Sequence, residues 1–217
     1  MAFHECQSAD AVGDLRSDRD MKPTSPPAGT SERDVRGTWS QVVLIGLMAT
    51  GKTVVGEELA RRLGVQFHDN DRQLAEAAGL TPAELRARHG VAALHALEVR
   101  ILLGALRIGG PRVISAAASV VETDAVRSGL RNPDTCAIWL RGTPATLAAR
   151  FHNEAHRPAY ADDLEEFFEH QIATRAPLFL EVSDAVVDID KLSVEEVVEH
   201  TLAIVRGYGE PVHSGES

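Results

Sequence analysis

Gly46-Leu47-Met48-Ala49-Thr50-Gly51-Lys52-Thr53 fits the spacing G-x-x-x-x-G-K-[ST] in full. A short β-branched run at 42–45 precedes it and reads as a buried strand. Residues 51–63 follow as a helix, with Val55, Leu59 and Leu63 at helical spacing. Strand, glycine loop and helix in this order make a cradle for phosphate. The glycines let the N–H groups of Gly46, Met48, Ala49, Thr50 and Gly51 close around a compact anion, and the helix N-terminus adds a favourable dipole. Lys52 can reach the β- and γ-phosphates, and the Thr53 hydroxyl can ligate Mg²⁺ beside them. The bland alternative is a glycine turn with a chance lysine. Agreement of motif and context favours the reading as a site for ATP with Mg²⁺.

Outward from this loop, strands and helices alternate. Further strands are read at 65–68, 113–116, 136–140 and 185–189. Thr81-Pro82-Ala83-Glu84 has capping-box spacing with proline at the first helical position, and a longer helix covers 92–107. Helices are expected at 122–130, from Thr143-Pro144 to 150, and at 164–180 with Pro177 disturbing the end. Ser193-Val194-Glu195-Glu196 is a second capping box, opening the last helix to about 206. Strands separated by helices imply parallel pairing through right-handed crossovers. The expected fold is α/β: a five-stranded parallel sheet with helices on both faces.

Residues 1–39 read as a disordered tail. They are poor in large apolar side chains and carry Pro23-Thr24-Ser25-Pro26-Pro27-Ala28-Gly29-Thr30; residues 207–217 look similar. That leaves one domain, 40–206. The hydrophobic fraction is 44% and the net charge −10, so no basic field draws the chain to nucleic acid. Cys6 and Cys136 are too few for a disulfide framework and fit a reducing compartment. The apolar runs, 42–48 among them, are strand-sized, and the N-terminus lacks the order of a signal peptide. The expectation is a cytoplasmic monomer acting on a small molecule, without nucleic-acid or membrane partners.

Phe67-His68-Asp69-Asn70-Asp71 ends the second strand. Residues two apart on an extended chain point the same way, so Asp69 and Asp71 can project together beyond the strand's carboxyl end, where open α/β sheets bind ligands. One carboxylate can hold magnesium-bound water and the other can orient an acceptor hydroxyl as base. Equally, either aspartate can cap the following helix, and Asp71 can do both. His152 and His156, four apart in a polar stretch without a third ligand, read as solvated histidines.

Together these motifs resemble the shikimate kinases over 41–206. Residues 44–53 are similar to that family's P-loop, and 67–71 to its aromatic-x-Asp-x-Asp element. Arg157-Pro158 is similar to the Arg-Pro of its lid, and Arg175-Ala176-Pro177-Leu178-Phe179 to its Arg-x-Pro-Leu-aromatic segment. The resemblance implies the nucleoside monophosphate kinase type of P-loop fold, with a lid. It implies phosphate and magnesium handling by Lys52 and Thr53, with magnesium held through water by Asp69. Asp71 would bind the acceptor's hydroxyls and act as base, Arg157 would close over the phosphates, and Arg175 would pair with the acceptor's carboxylate. Without it, Arg157 reads as a solvated loop charge, and Arg175 as a surface partner of Glu166, Glu169 or Glu181.

Two departures fall on the acceptor side. The family's triple glycine after the third strand is replaced by Ala116-Ala117-Ala118 within Ser115-Ala116-Ala117-Ala118-Ser119-Val120. Alanine is disfavoured where φ must be positive, and its methyl takes space where backbone must come close, so a smaller or reshaped pocket at Ala117 and Ala118 is expected. His95 stands where the family carries a carboxylate-binding arginine, in Gly90-Val91-Ala92-Ala93-Leu94-His95-Ala96-Leu97-Glu98, which retains Gly90 and Glu98. Histidine lacks the arginine fork and its charge depends on pH. Arg100 lies on another helix face, about 140° away. The resulting expectation is ATP-dependent transfer to a hydroxyl of shikimate or a related hydroxylated acid, with altered acceptor choice or weak shikimate binding. Two alternatives remain: a non-catalytic nucleotide-binding relative serving regulation or a partner, and a P-loop enzyme acting on nucleotides.

Overall fold

A computed structural model describes residues 39–152 and 163–207. Most of both expected tails, His156 and the lid arginine Arg157 lie outside the described residues. Trp39, counted with the tail, packs against the core.

The sheet forms as expected: β1 (Gln41–Ile45), β2 (Gln66–Asp69), β3 (Arg112–Ser115), β4 (Thr135–Arg141) and β5 (Ala185–Asp188) pair in the order β2-β3-β1-β4-β5, all parallel. Leu44, at the centre, registers with Ser115 on one side and Ile138 on the other. Every residue of β1 is buried, which is why residues 42–45 read as an unbroken apolar run. The chain crosses from the β2–β3 side of β1 to the β4–β5 side between β3 and β4. The loop leaving β1 therefore sits at a topological switch point.

Helices α1 (Lys52–Leu63) and α7 (Val194–Val205) pack together on one face, and α3 (Pro82–Arg107), α4 (Asp124–Leu130) and α6 (Leu164–Val182) pack on the other. Leu59, Leu102, Leu130, Phe168 and Phe179 are fully buried between helices and sheet. At about 1.5–3 kcal/mol each, such side chains dominate the favourable side of folding. Gly56 lets α1 lie close on β2: a Cβ there would sit 2.4 Å from the Phe67 ring. That approach sets the start of α1 beside the end of β2.

Both capping boxes, Thr81 with Glu84 and Ser193 with Glu196, form as read. Helix α2 (Asn70–Ala78) follows β2 directly. The two helices expected around Gly90 are merged in α3, with a kink at Gly90 (φ 84°, ψ 169°). With 26 residues and an 18-residue window of mean hydropathy 1.3, α3 resembles a membrane span by length and composition. Here Gly90 breaks it, and it packs on α2, α4 and a short 3-10 helix at Ala118–Glu122. Pro177 does not end α6, which runs on to Val182 because Phe179 and Val182 beyond it are buried in the core. Helix α5 (Pro144–His152) completes the set.

Candidate active site

The loop after β1 is held by its own backbone. Gly46 has φ 137°, and a Cβ there would lie 2.5 Å from the Leu140 carbonyl oxygen. Ala49 is left-handed at φ 64°, a conformation that costs an alanine roughly 1–2 kcal/mol and that only surrounding structure can enforce. Thr50 is buried and its hydroxyl donates to Leu47 O at 2.8 Å, bracing the loop. Gly51, also left-handed at φ 87°, turns the chain into α1. The Lys52 ammonium lies across the loop, donating to Gly46 O at 3.0 Å and Leu47 O at 2.8 Å. It is thus held where phosphate oxygens would enter.

Thr53 and Asp69 meet. The Thr53 hydroxyl donates to Asp69 Oδ2 at 2.7 Å, while Asp69 Oδ1 accepts from the backbone N–H groups of Asp71 and Arg72, each at 3.0 Å. The capping reading is realised on Asp69: its Oδ1 caps α2, while its Oδ2 faces the first turn of α1. The cap is Asp69 and not Asp71, because the cap is the residue before the helix and Asp71 lies inside its first turn, exposed. The Thr53 hydroxyl and Asp69 Oδ2 are hard oxygen donors, which suit Mg²⁺ that keeps most of its waters.

On the acceptor side, Arg175 pairs with neither Glu166, Glu169 nor Glu181. Its Nε donates to Glu122 at 2.7 Å and its Nη1 to Gln171, because α6 packs against the 3-10 helix that carries Glu122. His95 is bound at both nitrogens: Nδ1 is 3.1 Å from Ser119 Oγ, and Nε2 is 3.1 Å from Thr123 Oγ1. Ser119 also donates to Glu98. Glu98 is buried, and that burial pushes its carboxyl up to about 7. Asp71 and Glu122 add to the rise, while Ser119 and Arg175 oppose it. Arg100 is exposed and takes no part.

The three alanines do not adopt the backbone that glycine would favour. Among the described residues Ala49 is the one non-glycine with positive φ, and Ala117 is extended at φ −62°, ψ 148°. Ala116 is buried in the core, and Ala117 and Ala118 pack partly against it. The change at this corner is therefore chemical as much as steric: Ser119, Glu122 and Thr123 supply the polar groups. Sequence reasoning did not single out these three, since the contacts between His95 and the hydroxyls span 24 and 28 residues and carry no local pattern.

A cleft of about 830 Å³ opens on the other side of β1, lined by Thr143 and Pro144 after β4, Asp188, Asp190 and Lys191 at the end of β5, and His200 of α7. The loop of β1 thus lies between this cleft and the cluster around Glu98.

Comparison with known proteins agrees with this fold. The family model for shikimate kinase matches residues 48–206. A shikimate kinase of Rhizobium meliloti (strain 1021) is 30% identical over 185 residues, covering 84% of this chain and 95% of the relative. One of Corynebacterium efficiens is 32% identical over 162 residues, covering 74% and 94%. Among solved structures, shikimate kinase from Acinetobacter baumannii in complex with shikimate superposes with a TM-score of 0.72 at 20% identity, over 78% of this chain and 94% of that one. The structural likeness carries the fold. The sequence match runs from the phosphate loop through the last helix, and on that ground the chain belongs to the shikimate kinase family.

Proposed function

We propose that this chain transfers the γ-phosphoryl group of ATP, with Mg²⁺, to a hydroxyl of a small hydroxylated acid, shikimate being the first candidate. The observation that carries the reading is the contact of Thr53 with Asp69 at the mouth of a complete phosphate loop. The names of the relatives support the acceptor. The protein would act as a monomer in the cytoplasm. No finding favours the non-catalytic alternative.

In this reading the N–H groups of residues 46–51 and the Lys52 ammonium hold the β- and γ-phosphates and spread their charge. The Thr53 hydroxyl and Asp69 Oδ2 would hold Mg²⁺, Asp69 through a water as the family resemblance implies. When bound, the ion neutralises charge that develops between the β- and γ-phosphates. Asp71 orients the acceptor hydroxyl and takes its proton as the oxygen–phosphorus bond forms in line with the bond that breaks. Arg157 closes over the phosphates, as the family resemblance implies. Glu122 and Gln171 engage two of the five N–H donors of Arg175, and others on the same fork can meet the acceptor's carboxylate. The cleft beside β4 and β5 suits the nucleoside end of ATP, on the opposite side of the loop from the acceptor.

ADP release from Mg·ATP tests the reading. Shikimate should stimulate it saturably, and Lys52→Ala should lower kcat/KM by roughly 10²-fold or more with the fold intact by circular dichroism. Release that ignores shikimate, or survives Lys52→Ala unchanged, contradicts it.

A further inference from the structure

Glu98, Ser119, His95 and Thr123 form one continuous run of hydrogen bonds. Ser119 Oγ bonds Glu98 Oε2, His95 Nδ1 lies 3.1 Å from Ser119 Oγ, and His95 Nε2 lies 3.1 Å from Thr123 Oγ1. A hydroxyl both donates and accepts, and a neutral imidazole donates at one nitrogen and accepts at the other. Such a run has two self-consistent directions. With Glu98 ionised, Ser119 donates to the carboxylate and accepts from His95 Nδ1–H, and His95 Nε2 accepts from the Thr123 hydroxyl. With Glu98 protonated, its O–H donates to Ser119, Ser119 donates to Nδ1, and Nε2–H donates to Thr123. The first direction spends the Thr123 hydrogen within the run. The second releases it.

We propose that this run is a reversible relay in which the proton on Glu98 sets the tautomer of His95 and thereby whether Thr123 offers the acceptor a donor or a lone pair, making Glu98 and Ser119 positioning residues for acceptor binding. The inference rests on the kinase reading for its kinetic consequence but not for its geometry. The groups facing Glu98 are Asp71 of α2, Glu122 of the 3-10 helix and Arg175 of α6, with His95 on its own helix. On α4, Asp124 and Arg127 are paired with each other. Burial brings the Glu98 carboxyl to about 7, so both directions are populated near neutrality. A carboxylate-bearing acceptor gains from the protonated direction twice: Thr123 offers it a hydrogen, and a buried negative charge nearby disappears.

The first test needs no substrate. In ¹⁵N-labelled protein the Nδ1 and Nε2 resonances of His95 should move in opposite directions between pH 6 and 8, as one tautomer replaces the other. Formation of an imidazolium would instead bring them together. Glu98→Gln should fix one tautomer, Ser119→Ala should uncouple His95 from that transition, and Ser119→Thr, which restores the hydroxyl, should recover it. Resonances that converge or stay flat in the wild type, or a transition that persists in Ser119→Ala, overturn the relay. The second test is kinetic: KM for shikimate should rise about tenfold from pH 6 to pH 8, the ratio for one proton titrating near neutrality, with kcat and the KM for ATP changing less than about twofold. Glu98→Gln should abolish the slope. A flat KM in the wild type overturns the link to acceptor binding. Absence of any shikimate-dependent ADP release would instead count against the proposed function, while the spectra still decide the relay.

Discussion

Replacing Glu98 by glutamine should stabilise the protein above neutral pH and do little in acid. Glu98 is 7% exposed, and its carboxyl rises from 4.5 to about 7 on folding because burial disfavours the charged form. Between these values the folded chain holds a proton that the unfolded chain has released, so stability falls as pH rises through the window. At about 1.4 kcal/mol per pH unit, the ionised side chain costs the folded state about 3 kcal/mol once pH is well above 7. Glutamine carries no charge and avoids that cost, which is already net of the bond that Ser119 donates to the carboxylate. The gain should be about 3 kcal/mol at pH 8.5, shrinking towards zero by pH 4.5. Urea unfolding of both proteins across this range reads the difference directly, and groups unaffected by the change cancel from it. A difference that does not vary with pH, or a variant less stable at pH 8.5, would refute the assignment of a raised carboxyl at this position.

Asp69→Asn separates the two roles of one side chain. Asparagine caps a helix about as well as aspartate, so urea stability should change by less than about 0.5 kcal/mol, while the Mg²⁺ concentration for half-maximal activity should rise at least about tenfold. Gly56→Ala should destabilise by about 1 kcal/mol net in thermal unfolding, because the added methyl meets the Phe67 ring and overpacking at roughly 1–3 kcal/mol outweighs the better helix propensity. Arg175→Lys should raise the KM for shikimate by roughly tenfold or more and leave that for ATP unchanged, since an ammonium cannot hold Glu122, Gln171 and an acceptor carboxylate in one planar fork.

The sheet and the phosphate side were legible because their signals are local. A buried strand is a short β-branched run, the loop motif occupies eight consecutive residues, and both capping boxes lie within four. The order β2-β3-β1-β4-β5 was not, since pairing depends on which crossover passes over which strand. The helix read at 164–180 forms as α6 and runs two residues further, to Val182, because the packing of Phe179 and Val182 carries it past Pro177. On the acceptor side, the departures at His95 and Ala116–Ala118 were visible as changes in residue type. Their consequence was not, because it depends on Ser119 and Thr123 reaching His95 across the fold and on Glu122 reaching Arg175. The alanines were expected to leave a smaller or reshaped pocket, and their backbone angles were not legible in the sequence. They take ordinary angles and pack towards the core, and among the described residues the alanine with positive φ is Ala49 in the phosphate loop.

The most direct test of acceptor phosphorylation is ³¹P NMR of purified protein incubated with Mg·ATP and shikimate. The expected result is a new phosphomonoester resonance that grows in step with ADP and is absent when Lys52→Ala replaces the wild type. Inorganic phosphate alone, or ATP that remains intact while still binding, would contradict phosphoryl transfer to this acceptor.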